Sequence, residues 1–534
     1  MANGYQQPGV NGHSAPMDRS DLAAMLTQRL DRLRPPEQHA APPLPPTAGP
    51  ATPVLPAADT VSADPGAVPL LADLPGDLPV GWDIIQDLQK KVSTQVSQRD
   101  PNNKMEKDDR RAYARAVTTE VVAAWASEYA SENVPLAREE ETRIANAVYD
   151  SIYRGGRLQS LLDEDGVEDV MVDGLRAMVE YYDKPRRVIE KIANSHEEVL
   201  AWVDRMASLS GHGDRSLDLS RPSTGFRLPD GSRVTASLLT SRPSVVIRKH
   251  RIQNQGIPEL VQWGTLNPML ELFLRACVQA KMNILIVGGM GAGKTSLLRA
   301  LGREIPEDER LVTLESDREL YLDEPGPMPG PPTFAFEARH SNGERDTAGE
   351  VTISDLFEVA LRYNATRVIV GEVRSKEIKP MLDSMSGSGS GSMCTVHVRR
   401  PRGIINRLSQ LCTGAGMSDT EAHHLIAAAV DVVVYLAYDW SDLKYGGHKH
   451  RYVSHILEVH DEVGESGRAI TTELFAPAGK EVRAVYQQMP TFIDELEDHS
   501  RFTDQYGNTF GFNRAWLLDN PHGAWRAPLQ KVGP

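Results

Sequence analysis

The chain has 534 residues, of which 25% are charged, and a formal net charge of −15. So acidic a balance speaks against wholesale electrostatic wrapping of nucleic acid, which needs a basic face, although local basic patches remain open. Cys277, Cys394 and Cys412 stand far apart without Cys-x-x-Cys spacing, which indicates neither a disulfide framework nor a zinc site and fits a reducing cytoplasm.

Residues 1–81 form an expected disordered Pro/Ala-rich arm. Thirteen prolines lie between Pro35 and Pro79, and such a segment buries too little apolar surface to offset its conformational entropy. Within it, Leu22, Met25, Leu26, Leu30 and Leu33 keep helical spacing from Asp21 to Arg34, as either a docking helix or a transient one. Residues 82–162 are rich in helix formers, with apolar faces at Ile85, Leu88 and Val92, at Val117, Val121 and Trp125, and at Ile144, Val148 and Ile152. Three or four packed helices without chemistry are expected there.

From 163 to 255 the apolar period shortens to that of strands. The runs Val167–Gly174 and Met178–Tyr181 are followed by a hairpin signalled by Pro229-Asp230-Gly231 and by a last strand at Val245–Lys249. A small α+β domain with a helix at Ser195–Leu209 is expected. Residues 256–263 read as a linker. Residues 264–488 alternate apolar strands (Asn283–Val287, Leu311–Glu315, Arg367–Gly371, Met393–Val396) with amphipathic helices, the pattern of an α/β, doubly wound, mainly parallel sheet. Residues 489–534 form a C-terminal extension. The longest apolar stretch, Leu425–Tyr438, is broken by Asp431 and too short to span a bilayer, and the N-terminus lacks a signal-peptide succession, so a soluble chain is expected.

Asn283–Leu301 reads strand, glycine loop, helix. Its Gly288-x-x-x-x-Gly293-Lys294-Thr295 is the P-loop spacing, in which backbone amides and a helix N-terminus surround phosphate. Gly288, Gly289, Met290, Gly291, Ala292, Gly293, Lys294, Thr295 and Ser296 are therefore the candidate ATP-binding residues. Lys294 is expected on the β and γ phosphates and Thr295 on Mg2+. Ligands in such sheets sit at the carboxyl ends of strands. The residues following the other strands are Glu315-Ser316-Asp317-Arg318-Glu319, then Gly371-Glu372-Val373-Arg374, then Thr395-Val396-His397. A carboxylate there can orient water or hold a metal, and an imidazole can sense the terminal phosphate. Taken singly, such acids are often helix caps, such a histidine is often structural, and Arg339, Arg362, Arg367 and Arg374 are ordinary surface or salt-bridge residues. Their order along successive strands is what points to a site.

The series Gly-Gly-Met-Gly-Ala-Gly-Lys-Thr, Val-Thr-Leu-Glu-x-x-x-Glu-Leu, Arg-Val-Ile-Val-Gly-Glu-Val-Arg and Gly-Ser-x-x-Thr-Val-His resembles the Walker A, Asp-box, Walker B and His-box motifs of the type II/IV secretion and pilus-assembly ATPases. It looks most like their CpaF/TadA branch. Segments Arg227–Val234 and Arg242–Lys249 are similar to that branch's N-terminal domain, and the resemblance covers about 163–462. It implies a RecA-like P-loop NTPase domain and a homohexameric ring that hydrolyses ATP with Mg2+. By the same resemblance Glu315 is the general base, Glu319 an Asp-box acid, Glu372 the Walker B acid and a metal ligand with Thr295, and His397 the sensor. Arg233 and Arg248 are candidates to close over the nucleotide. Three departures stand out: Ser316 in place of the usual Asp, Arg399 and Arg400 after the His box, and a proline-rich loop at Asp323–Pro332.

The function expected is that of a pilus-assembly or secretion motor in the cytoplasm, held at the inner face of the cell membrane by platform proteins, with nucleic acid not expected as a partner. The alternative is a DNA or protein translocation ATPase of a type IV secretion system, and a further one is a scaffold that binds ATP without hydrolysing it.

Overall fold

The computed structural model describes residues 78–100, 104–181, 185–210, 217, 222–249, 255–325, 330–339, 350–387, 390–439, 450–503, 509–519 and 525. The helix expected at Asp21–Arg34 lies outside them. The described residues up to 249 make one compact unit and those from 255 onward another.

In the first unit three helices, Trp82–Arg99, Lys107–Glu132 and Arg138–Tyr153, share a core of Ile85, Leu88, Val92, Val117, Val121, Ile144 and Val148. These positions recur three or four apart, so each helix buries one stripe. Beyond them lies an antiparallel sheet in the order β3-β2-β1-β6-β5-β4. Its strands are β1 (Val167–Asp173), β2 (Arg176–Tyr181), β3 (Arg187–Ile189), β4 (Ser223–Arg227), β5 (Arg233–Ser237) and β6 (Ser244–Arg248). Val170, Val172, Val179, Val234, Val245 and Ile247 point to one face and pack with Val199, Trp202, Val203 and Met206 of the helix His196–Leu209. That helix starts where it does because the Ser195 side chain caps the Glu198 amide.

Among the described residues of the second unit, nine strands make one sheet: β7 (Ile284–Gly288), β8 (Leu311–Glu315), β9 (Thr333–Glu337), β10 (Arg367–Val373), β11 (Met393–His397), β12 (Val432–Asp439), β13 (His450–Val463), β14 (Ala469–Ala478) and β15 (Glu481–Tyr486). Their order is β15-β14-β13-β12-β7-β11-β10-β8-β9. From β12 to β9 every pairing is parallel, and from β12 to β15 every pairing is antiparallel. The run Ile-Leu-Ile-Val of β7 is apolar throughout because both faces are covered. Ile284 and Ile286 join one core with the helices Pro268–Gln279 and Lys294–Gly302. Leu285 and Val287 join another with Ile353–Ala360, Ile378–Ser386, Ile404–Gly414 and Asp419–Ala429.

Segment 256–263 contains the helix Ile257–Gln262, whose Ile257, Leu260 and Val261 enter the first of these cores. The Glu259 carboxylate accepts from the Gly256 amide and fixes its start. Beyond residue 489, Ile493, Leu496, Phe502, Phe512, Trp516 and Leu517 enter the same core, and Trp525 donates its indole N–H to the Ala484 carbonyl at 2.9 Å. Among the described residues no helix is long and apolar enough to cross a membrane, and all three cysteines are unpaired and buried.

Candidate active site

The glycine loop begins where β7 is flanked by two parallel neighbours. Gly288 lies in register with His397 of β11 on one side and Leu436 of β12 on the other. A Cβ at residue 288 would stand 2.5 Å from the Leu436 carbonyl oxygen, so only glycine permits this approach. The chain then turns through Gly291 and Gly293, whose φ angles of 70° and 92° are left-handed, and enters the helix at Lys294.

Lys294 is 7% exposed. Its ammonium donates to the Gly289 carbonyl at 3.0 Å and lies 3.1 Å from His397 Nδ1. Burial lowers its pKa to about 8, against the partial support of Glu372. A buried cation held by a carbonyl and an imidazole at the mouth of a helix N-terminus fits an anionic phosphate, which would supply the countercharge that burial withholds.

His397 bridges onward, with Nε2 3.0 Å from Glu372 Oε1, while Arg374 donates to Glu372 Oε2 at 2.7 Å. With Nδ1 accepting from the lysine and Nε2 donating to the acid, one neutral tautomer satisfies both contacts. Burial by itself would raise the Glu372 pKa, but the bonds from His397 and Arg374 outweigh it and hold the carboxyl at about 2. The register of β10 against β11 slips between Val370 and Val373, so the ladder is irregular where Glu372 emerges. The buried Thr395 hydroxyl donates to the Gly371 carbonyl at 2.7 Å and ties the two strand tips together.

Glu315 ends β8, 2% exposed, beside Gly371. A Cβ on Gly371 would lie 3.1 Å from Glu315 Cγ and 3.3 Å from Oε1. Oε1 accepts from the amides of Glu319 at 2.9 Å and Leu320 at 3.0 Å, which fixes the turn carrying Glu319. From the other side Arg299, in the helix opened by Lys294, donates to the carbonyls of Leu320 at 3.1 Å and Glu319 at 2.5 Å. Glu315, Glu372 and His397 thus stand at the ends of β8, β10 and β11, with Glu319 in the turn after β8 and Lys294 at the start of the helix after β7.

Arg233 and Arg248 belong to the first unit, where β5 and β6 set them directly opposite each other, and Arg248 is ion-paired with Asp169 at 2.9 Å. For the metal, Thr295 and Glu372 provide hard oxygen donors of the type Mg2+ takes. Each Glu372 oxygen is engaged once, by Arg374 and by His397, and each keeps a second lone pair for a cation.

Sequence reasoning did not find Arg299 or Arg451 of β13, whose Nε donates to the Gly291 carbonyl at 2.8 Å. No local pattern marks them, because each acts through tertiary contact. Arg367 is a buried salt-bridge residue, with its guanidinium 2.6 Å from Glu309 and 2.7 Å from the Val278 carbonyl.

A strand running into a glycine loop and a helix-borne lysine, with an imidazole from the next strand on that lysine and an acid from the strand beyond on the imidazole, defines a P-loop ATPase. The chain belongs to the type II/IV secretion system protein family, whose model matches residues 217–491, just over half its length. It is 29% identical over 302 residues to a Mycobacterium tuberculosis protein named for conjugal transfer, an alignment covering 53% of this chain and 80% of that protein. With the type IV secretion system protein PtlH of Bordetella pertussis it shares 30% identity over 224 residues, 37% of this chain and 64% of PtlH. Among solved structures, the Legionella pneumophila ATPase DotB is similar at a TM-score of 0.41 and 18% identity, over 56% of this chain and 79% of that one.

Proposed function

We propose that this protein is the ATP-hydrolysing motor of a pilus-assembly or secretion system, of the CpaF/TadA type, working as a homohexamer with a RecA-like core. The observation that carries the reading is the continuous chain Lys294–His397–Glu372–Arg374 across the tips of three adjacent parallel strands, with Glu315 beside it. In this reading the α+β domain (163–255) and the ATPase domain (264–488) are separate bodies joined at 256–263, preceded by the arm (1–81) and the helical segment (82–162) and followed by the extension (489–534).

Glu315, buried and held by two amides, orients and deprotonates the attacking water. Lys294 leaves His397 for the β and γ phosphate oxygens, and His397, still bonded to Glu372, then registers whether the terminal phosphate is present. Glu319 stands as the second acid of the Asp box. Thr295 and Glu372 would hold Mg2+, which would supply charge neutralisation at the phosphates. Arg233 and Arg248 close over the nucleotide from the α+β domain, and their charges stabilise the transferring group. Turnover drives rigid-body movement of one domain against the other, which platform proteins at the inner face of the cell membrane convert into transport.

Deleting the gene in its own cell and restoring it as wild type or as Glu372→Gln tests this role, with surface filaments counted by electron microscopy. Filaments should return only with the wild type, and filament numbers unchanged by the deletion would refute a pilus motor. The names of the M. tuberculosis and B. pertussis relatives favour a second reading, a DNA or protein translocation ATPase of a type IV secretion system. Exposed Arg399, Arg400 and Arg402 give it a basic surface beside His397. It requires turnover stimulated by DNA or by a protein substrate, and for DNA the stimulation must fall steeply with salt.

A further inference from the structure

The sheet order gives the site a direction. The strand-borne side chains around the lysine come from one side of β7: His397 from β11, Glu372 and Arg374 from β10. The terminal phosphate of a bound triphosphate therefore faces that side, and the nucleoside end extends across the glycine loop towards β12 and β13.

What stands there is specific. β12 runs parallel to β7 with Leu436 in register with Gly288, and then continues beyond the tip of β7. Its Tyr438 pairs across to Arg451 of β13, so the two side chains are neighbours. A Cβ on Gly289 would lie 3.8 Å from the Tyr438 ring, and one on Gly293 would lie 3.4 Å from Arg451 Cδ. The Arg451 Nε bond to the Gly291 carbonyl fixes the guanidinium against the loop at 2.8 Å. Tyr438 also packs, partly buried, on the core beneath, which holds its ring in place.

We propose that Tyr438 and Arg451 form the nucleoside subsite of this ATPase, with the Tyr438 ring stacking on the purine and the Arg451 guanidinium flanking the sugar. An aromatic ring offers any base a π-face, and a planar guanidinium held at a fixed angle adds a second surface. The inference rests on the P-loop reading and adds to it a determinant of nucleoside, as opposed to phosphate, recognition.

The test compares two probes, ADP and inorganic tripolyphosphate, on the full-length chain as wild type, Tyr438→Ala and Tyr438→Phe. Tyr438→Ala should bind ADP about tenfold more weakly, the usual scale for loss of one base stack, with tripolyphosphate affinity unchanged. Tyr438→Phe should retain most of the ADP affinity. Equal losses for both probes would make Tyr438 a support of the loop and overturn the proposal, as would ADP binding unaffected by Tyr438→Ala. A wild-type chain that binds neither probe would instead refute the P-loop reading underneath, and the inference with it.

Discussion

The Lys294 ammonium sits 3.1 Å from Nδ1 of His397, so the residue that should grip phosphate is engaged with the residue that should sense it. A phosphate competing for Lys294 necessarily alters the surroundings of His397, and through its Nε2 those of Glu372. Sensing and binding are then a single rearrangement. His397→Ala should leave ADP affinity within about threefold of wild type while lowering turnover at least tenfold, the usual scale of a lost polar contact to the reacting group. Titrations of ADP binding beside steady-state turnover separate the two effects.

The pH dependence of binding follows from the same lysine. Its pKa in the nucleotide-free chain is about 8, and an anionic ligand raises it, because the ligand favours the protonated form. The contribution of Lys294 to ADP affinity is therefore fully present below about pH 8 and falls by up to about tenfold per pH unit above it. A lysine at its ordinary value would give a flat profile to about pH 10. Calorimetric titration across this range distinguishes the two.

Gly371→Ala tests the packing of Glu315, the proposed general base. The added methyl would meet Glu315 Cγ at 3.1 Å and Oε1 at 3.3 Å, so the carboxylate has to give by a few tenths of an ångström. Turnover should drop at least tenfold, since small misplacements of reacting groups are costly, with nucleotide binding retained. Turnover equal to wild type would show that Glu315 is not held in a working position by this contact.

Arg367→Ala should destabilise the ATPase unit by about 3 kcal/mol, because it takes the fully buried guanidinium from the Glu309 carboxylate and leaves the half-exposed Lys281 ammonium, 3.3 Å away, to neutralise it in part. Burial would raise the Glu309 pKa, yet the Arg367 hydrogen bond and charge bring it down to about 2. That pairing contributes fully above about 4.5 and is lost as pH falls towards 2, so the gap between wild type and variant should narrow in acid. Denaturant unfolding at several pH values reads both effects.

The parts of the site legible in the sequence are those written locally. The glycine spacing before Lys294, the acids closing β8 and β10 and the imidazole closing β11 all follow apolar runs that could only be buried strands. What escaped notice depends on the fold. Arg451 is 160 residues from the carbonyl it holds, and Arg299 reads as one more cation in a helix. β9 was hidden behind the prolines of 323–332, because five residues whose edge position leaves them half-exposed carry a weak pattern. The short strand β3 escaped for the same reason. Gly371 belongs to a local motif, whereas its packing on Glu315 depends on β8 and β10 lying side by side.

The most direct test of the whole account is ATP turnover by purified full-length protein with Mg2+, comparing wild type with Lys294→Ala and Glu315→Gln. Wild-type hydrolysis reduced at least a hundredfold in both variants, the scale on which preorganised electrostatic groups act, is the predicted result. Three equal rates would contradict it, because they would mean that phosphate is neither gripped nor attacked at these strand tips.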